Sequence, residues 1–308
     1  MTILKYILKR ILLVIPVLIG VTLFIYTILA LAPGDPASLI LGPDALPEQI
    51  IEKRIELGLD DPILVRYVTY MKDALQGDFG RSWFTGRLVF NEFFERIPYT
   101  LKLAVLITLV AAVMGVSLGI LAAVKHNTPI DYSVLAFAML FFSIPTFWLG
   151  MFLQMIFGTI LGWLPVMGAA TFKHYILPSF SSGSSHGAST IRITRSSMLD
   201  VLTQDYIRTA RAKGGSEGWV IRNHVVRNGL LPVVTHIGLM FANVISGSLV
   251  IETVFAIPGI GSYVANAARV RDIPVVMGVI FFVGVFVAVV NLLIDFIYAF
   301  IDPRVKLE

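Results

Sequence analysis

The sequence predicts an all-α integral membrane protein with six transmembrane helices and both termini in the cytoplasm. Three observations carry that prediction. Of the 308 residues, 56% are hydrophobic and only 14% are charged, against about 25% charged in a soluble domain. The mean hydropathy of +0.82 is concentrated in blocks long enough to cross a hydrocarbon core of ~30 Å, which takes about 20 helical residues. The connections between these blocks differ in the sign of their charge, and that difference orients the chain.

The first block, 11–32, follows Lys5, Lys9 and Arg10. It is uninterrupted by charge and longer than the roughly 7–15 apolar residues of a signal peptide, so it is expected to be a retained first span. Pro33-Gly34-Asp35-Pro36 ends it, since proline stops a helix and Gly-Asp favours a turn. The segment 33–99 is expected to be external, water-facing and mostly helical. From Pro47, the residues Ile50, Ile51, Ile55 and Leu57 recur at helical spacing, with Gly58 as a stop. A second helix over about 62–76 places Ile63, Tyr67, Tyr70, Met71 and Leu75 near one face. Further apolar blocks cover 103–124, 133–161, 230–251 and 275–300. The domain division expected is 1–32, 33–99 and a five-helix core over 100–308.

The sixth span, 176–194, is too polar for hydropathy to find. Charge finds it instead. Residues 192–227 hold seven basic and three acidic residues, whereas 33–99 holds seven basic and eleven acidic. Basic connections stay inside, and three clear spans precede 192–227, so 176–194 must also cross. A span so rich in serine cannot face lipid; it has to be buried in protein or line a watery path. Gly183 and Gly187, with Ser179, form a small-residue stripe suited to close helix packing, as do Gly115 and Gly119 on the second span. Ser182, Ser185, His186, Ser189 and Asn243 are the candidates for facing a translocation path.

Much chemistry is excluded. The chain has no cysteine, and no P-loop or H-E-x-x-H motif. Its five histidines, at 126, 174, 186, 224 and 236, lack metal-ligand spacing. The net charge of +4 follows from topology and gives no reason to invoke nucleic acid. Glu252 and Asp295 lie near span boundaries, where structural pairing, with Arg304 for Asp295, outweighs proton transfer. Together with the polar span 176–194 they are also the sequence support for a rival reading, an ion- or proton-coupled secondary transporter. No convincing internal repeat accompanies them.

The basic connection is the most distinctive part of the chain. Leu199 to Gly214 has amphipathic helical spacing, with Tyr206, Ile207 and Ala210 on one side and Arg208, Arg211 and Lys213 elsewhere. Gly214-Gly215 breaks it, and a second short helix over Glu217–Arg227 leads through Gly229 and Pro232 into the fifth span. This is an elbow tied to a membrane helix.

The run D-Y-I-R-T-A-R-A-K-G at Asp205–Gly214, followed by H-V-V-R-N-G-L-L-P at His224–Pro232, resembles the coupling loop of binding-protein-dependent ABC importer permeases of the dipeptide/oligopeptide/nickel family. Arg208-Thr209-Ala210 stands where that loop carries Glu-Ala-Ala. The resemblance extends to PGDP at 33–36, ELGLDDP at 56–62, GDFGRS at 77–82, ETVFAIPGIG at 252–261 and DPR at 302–304. It implies the type I importer permease fold and a first-permease subunit of a bacterial cytoplasmic-membrane importer for peptides, with nickel as the alternative cargo. It implies as partners a second homologous permease, two ABC ATPase subunits and an extracytoplasmic substrate-binding protein. The chain would bind no cofactor and catalyse nothing; ATP and Mg would sit on the ATPases. The implied coupling loop, 195–229 with Pro232, comprises Asp205, Tyr206, Arg208, Thr209, Ala210, Arg211, Ala212, Lys213, Gly214, Gly215, Glu217, His224, Arg227 and Asn228.

Overall fold

A computed structural model describes the backbone of residues 3–301 and the side chains of 10, 12–294 and 296. The described residues are helical almost throughout. In order they form α1 (Ile3–Leu31), α2 (Pro36–Leu41), α3 (Pro47–Glu56), α4 (Ile63–Leu75), α5 (Val89–Val124), α6 (Pro129–Ser143) and α7 (Thr146–Leu153). There follow α8 (Ile176–Leu202), α9 (Asp205–Ala212), α10 (Glu217–Val220), α11 (Arg227–Gly229), α12 (Leu231–Gly247), α13 (Leu249–Val254), α14 (Ile260–Val270) and α15 (Ile273–Ile301). Wider π turns continue α7 over Gln154–Ile160 and join α10 to α11 over Ile221–Val226.

Among the described residues, three helices are long and apolar enough to cross a membrane, over Leu12–Leu31, Val89–Val124 and Ile273–Ile294; two bent pairs raise the number to five. One bent pair corrects the expectation of a continuous third span over 133–161. The helix breaks between Ser143 and Thr146 and turns by 95°. Pro145 is the cause: it has no N–H to donate, and it drives Ile144 into an extended conformation (φ −81°, ψ 124°). The expected fifth span, 230–251, is likewise divided at Ser248 into α12 and α13. The serine-rich α8 has 27 residues, about 40 Å at 1.5 Å per residue, but lacks the apolar composition of those helices.

The chain forms two compact units. The first comprises the described residues up to 99 together with 258–292. Its core joins Phe79, Val89, Phe93 and Tyr263 to the start of α15, where Phe93 stacks on Phe282 with centroids 4.7 Å apart. Gly278 lets α15 approach: a Cβ there would lie 2.6 Å from Val89 Cγ1. The GDFGRS turn is held by Asp272, whose carboxylate accepts from the Ser82 hydroxyl (2.5 Å) and the Trp83 N–H (3.1 Å). Glu92 is buried, accepts from the Tyr263 hydroxyl, and lies 3.2 Å from Arg87 Nη1.

The second unit comprises 100–257 with the described residues from 293. Here α8 packs against α6, α7 and α12. The two glycine stripes meet one another. A Cβ on Gly115 would fall 2.4 Å from Thr190 Cβ, one on Gly119 2.5 Å from Thr194 Cβ, and one on Gly187 2.3 Å from Met114 Cε. Such close backbone approach is what small residues permit between membrane helices. Several polar side chains of α8 are buried, and three of them bond to their own helix. Ser181, Ser184, Thr190 and Thr194 are buried. The hydroxyls of Ser181, Ser184 and Thr190 donate to the carbonyls of Pro178, Ser181 and His186, which satisfies them without water.

Glu252 is fully buried and accepts from the hydroxyls of Thr100 (2.7 Å) and Ser248 (2.8 Å). Asp295's side chain and Arg304, expected as a pair, lie outside the described residues.

Candidate functional site

The elbow is built from residues of opposite preference. The expected single helix over Leu199–Gly214 is in fact two: α8 continues to Leu202, and α9 starts at Asp205 after Gln204 turns extended (φ −71°, ψ 146°). The Thr203 hydroxyl and the Gln204 amide both bond the Asp200 carbonyl, capping the end of α8. Gly214 ends α9 in the left-handed region (φ +82°). The Gly215 N–H reaches back to the Ala210 carbonyl (3.2 Å) and the Gly214 N–H to Arg211 (3.0 Å), the bonding of a glycine-terminated helix. The second arm runs beyond the expected Arg227 to Gly229, through the π turn.

One apolar cluster anchors both arms. Ile207 of α9, Val220 of α10 and Val225 of the π turn are buried with Ala123 of α5 and Met198 of α8. Gly229 seats the end of the second arm: its Cβ would lie 2.6 Å from Met198 Sδ, and its carbonyl accepts from the Ser197 hydroxyl at 2.7 Å. Sequence pattern did not reveal Val220 and Val225 as partners. They are five residues apart, which an α-helix would place roughly 140° apart; the wider π turn brings both inward.

Outside this anchor, the residues singled out in sequence face solvent. Asp205, Tyr206, Arg208, Thr209, Arg211, Ala212, Lys213, Gly214, Glu217, Arg227, Asn228 and Pro232 are exposed, while Ala210, Gly215 and His224 are half-buried. Arg211 spans the break, donating from Nε (3.0 Å) and Nη2 (2.6 Å) to the two oxygens of Glu217. That guanidinium holds the Glu217 carboxyl below the usual glutamate range. Tyr206, Lys213, Trp219 and His224 border a shallow cavity of about 500 Å³ over the glycine pair. Trp219 and His224 meet edge to face at 4.9 Å.

A second clamp was invisible in sequence. Arg195, near the end of α8, grips Asp131 at the start of α6 with Nε–Oδ1 and Nη2–Oδ2 distances of 2.7 Å each. Asp131 also accepts from the Asn127 N–H (3.0 Å), and His126 Nδ1 lies 3.2 Å away. In sequence Arg195 figures as a positive charge and as the start of the implied coupling loop, whereas it lies within α8; its partner is 64 positions away.

The path candidates divide. Ser182 is buried, whereas Ser185, His186 and Ser189 are half-buried and Asn243 is exposed. Ser189 lies 3.2 Å from His236 Nε2 on α12. At helical spacing, the exposed Asn243 and Ser246 lie on the same side of α12 as half-buried His236.

Comparison with known proteins agrees with this architecture. Residues 115–307 match the family described as binding-protein-dependent transport system inner membrane component, and 3–104 match its N-terminal counterpart. The dipeptide transport system permease protein DppB of Alkalihalophilus pseudofirmus is 39% identical over 331 residues, covering 98% of this chain and 99% of that protein. The glutathione transport system permease protein GsiC of Salmonella paratyphi A is 42% identical over 303 residues, with the same coverage. Among solved structures, an inward-facing MetNI methionine ABC transporter chain superposes with a TM-score of 0.59 at 16% identity, over 68% of this chain and 96% of that one. That level of identity bears on the fold alone. The chain belongs to the binding-protein-dependent transport system inner membrane components and is a permease of the ABC importer class with the type I permease fold.

Proposed function

We propose that this chain is the membrane-spanning permease of an ATP-driven importer of small peptides. It works with a second homologous permease, two ABC ATPases that bind ATP and Mg, and an extracytoplasmic binding protein in a bacterial cytoplasmic membrane. It crosses six times with both termini inside, α8 being the span that composition conceals. The relatives named for dipeptide and glutathione transport support a small-peptide cargo. The elbow from Asp205 to Pro232 receives the ATPase, and Ser185, His186, Ser189 and Asn243 border the path; Ser182, buried within the second unit, supports its wall.

The observation that carries the coupling role is the division of labour in the elbow. Ile207, Val220 and Val225 fix it to the ends of α5 and α8, while Tyr206 and Trp219 remain 44% and 47% exposed. A push on the exposed surface is therefore delivered to two membrane helices. Conformational change driven by ATP requires such nucleotide-dependent contacts. The test is Lys213→Glu combined with Trp219→Ala in the reconstituted transporter. The chain should insert at wild-type levels, with uptake and binding-protein-stimulated ATP hydrolysis lost together. Wild-type uptake in that variant would overturn the assignment.

A further inference from the structure

Helix α4 packs against the side of α1. The Tyr67 hydroxyl lies 3.1 Å from the Ile19 carbonyl and 3.0 Å from Thr22 Oγ1. Its ring meets Tyr26 edge to face at 5.7 Å, and Met71 Sδ lies 4.0 Å from Thr22 Oγ1. These contacts fall well inside the apolar stretch Leu12–Leu31. Thr22 is nine residues before Leu31, about 13 Å along the helix axis. Even a tilt of about 40° leaves that contact roughly 10 Å below the outer end of the span. Amphipathic helices lying in a bilayer interface bury their apolar face by about 5–10 Å.

The composition of α4 has three sides. Tyr67 and Ala74 are buried, with Ile63, Tyr70 and Met71 half-buried beside them. Thr69, Lys72 and Asp73 form an exposed polar side. Between the Met71 flank and the polar side runs a third stripe, Leu64, Val68 and Leu75, exposed to 67%, 61% and 81%. Positions i, i+4 and i+11 share a helical face.

The neighbouring surface is that of a transmembrane helix. Ile15, Ile19, Thr22 and Tyr26 share one face of α1 by the same spacing; α4 covers Thr22 and Tyr26, while Ile15 and Ile19 below are 47% and 45% exposed. The apolar stripe of α4 therefore borders a surface that a spanning helix offers to acyl chains. Lys72, on the adjoining side, has the long stem that lets an ammonium reach the phosphate layer from such a position.

We propose that α4 is a membrane-embedded interfacial helix, with Leu64, Val68 and Leu75 inserted among the acyl chains of the outer leaflet and Thr69 and Asp73 toward water. This replaces the wholly water-facing placement expected for 33–99. It rests on α1 being a span and is independent of cargo and of ATPase coupling.

Because the chain has no native cysteine, each introduced cysteine is the chain's one labelling site, and the labelled complex of the unsubstituted chain supplies the background to subtract. Val68→Cys, Leu64→Cys, Asp73→Cys and Glu52→Cys are spin-labelled in the full chain, purified with its co-purifying subunits and reconstituted into phosphatidylcholine–phosphatidylglycerol vesicles. At positions 68 and 64, collision with oxygen should exceed collision with a water-soluble nickel chelate severalfold; positions 73 and 52 should show the reverse. Nickel accessibility at 68 and 64 equal to that at 52 would place the stripe in water and overturn the proposal. Inaccessibility to both reagents would place it against protein and overturn it equally. Agreement between positions 64 and 68 guards against a local distortion at either one.

Discussion

Arg195 and Asp131 form a two-pronged ion pair between the end of α8 and the start of α6, with both N–O distances at 2.7 Å. Asp131 is fully buried and the Arg195 side chain is 20% exposed. Removing one member of a buried pair leaves the other charge without compensation, which costs about 3–5 kcal/mol. Arg195→Ala should therefore lower the thermal midpoint of the purified chain sharply. Arg195→Lys should recover only part of the loss, because an ammonium cannot make the bidentate contact. A melting curve for Arg195→Ala that matches wild type would show the pair to be dispensable.

The glycine stripes of α5 and α8 give a reciprocal prediction. A methyl at position 115 would sit 2.4 Å from Thr190 Cβ, so Gly115→Ala forces the helices apart. Overpacking of this kind typically costs about 1–3 kcal/mol. Thr190→Gly removes the opposing atom, and the double variant should be more stable than the two separate losses add up to. Detergent-resistance melts of the four proteins in this cycle measure the coupling. Strict additivity would mean that the helices do not meet there.

Much of this was legible in sequence because it depends on composition and local rules. The glycine stripes announced close packing, and Gly214-Gly215 announced the break in the elbow. The basic count of 192–227 led to the expectation of a helix at 176–194, where α8 lies, and its buried Ser181, Ser184 and Thr190 hydroxyls bond carbonyls of their own helix. What sequence hid depends on distant partners or on irregular helix geometry. Asp131 is remote from Arg195, and Val220 and Val225 converge only through a π turn. Pro145 was visible, but the 95° turn that it permits was not, because apolar composition continues unbroken through it. The position of α4 beside Thr22 had no sequence signature, since a buried tyrosine face reads alike against protein in water and protein in lipid.

Glu252 offers a test between structural and proton-carrying roles. It accepts from Thr100 and Ser248 while wholly buried. Glu252→Ala strips two hydroxyls of an acceptor, at about 1–3 kcal/mol for each buried group left unsatisfied. Glu252→Gln retains an acceptor oxygen and should cost less. If the carboxylate is structural, Glu252→Gln keeps ATP-driven uptake near wild type over the whole neutral pH range. Abolished uptake in a glutamine variant of normal stability would instead support a proton-carrying role.

The Arg211–Glu217 clamp predicts how the elbow responds to acid. The guanidinium lowers the Glu217 carboxyl from its ordinary value. A depressed acid stabilises the folded form above its unfolded pKa, about 4.3 for glutamate, and that stabilisation disappears as pH falls through the lower folded value. Both partners of the clamp are thus charged at neutral pH, and the ionic attraction is lost only as Glu217 protonates below the usual glutamate range. Spin labels on Arg208→Cys and Gly218→Cys, one on each arm, should report a constant separation from pH 8 to pH 5 and a broadened one only once pH falls below the usual glutamate range. Glu217→Gln in the same background should broaden the distribution at every pH, because its neutral amide loses the ionic attraction. A narrow distribution unaffected by that substitution would show that the buried anchor of Ile207, Val220 and Val225 fixes the angle by itself.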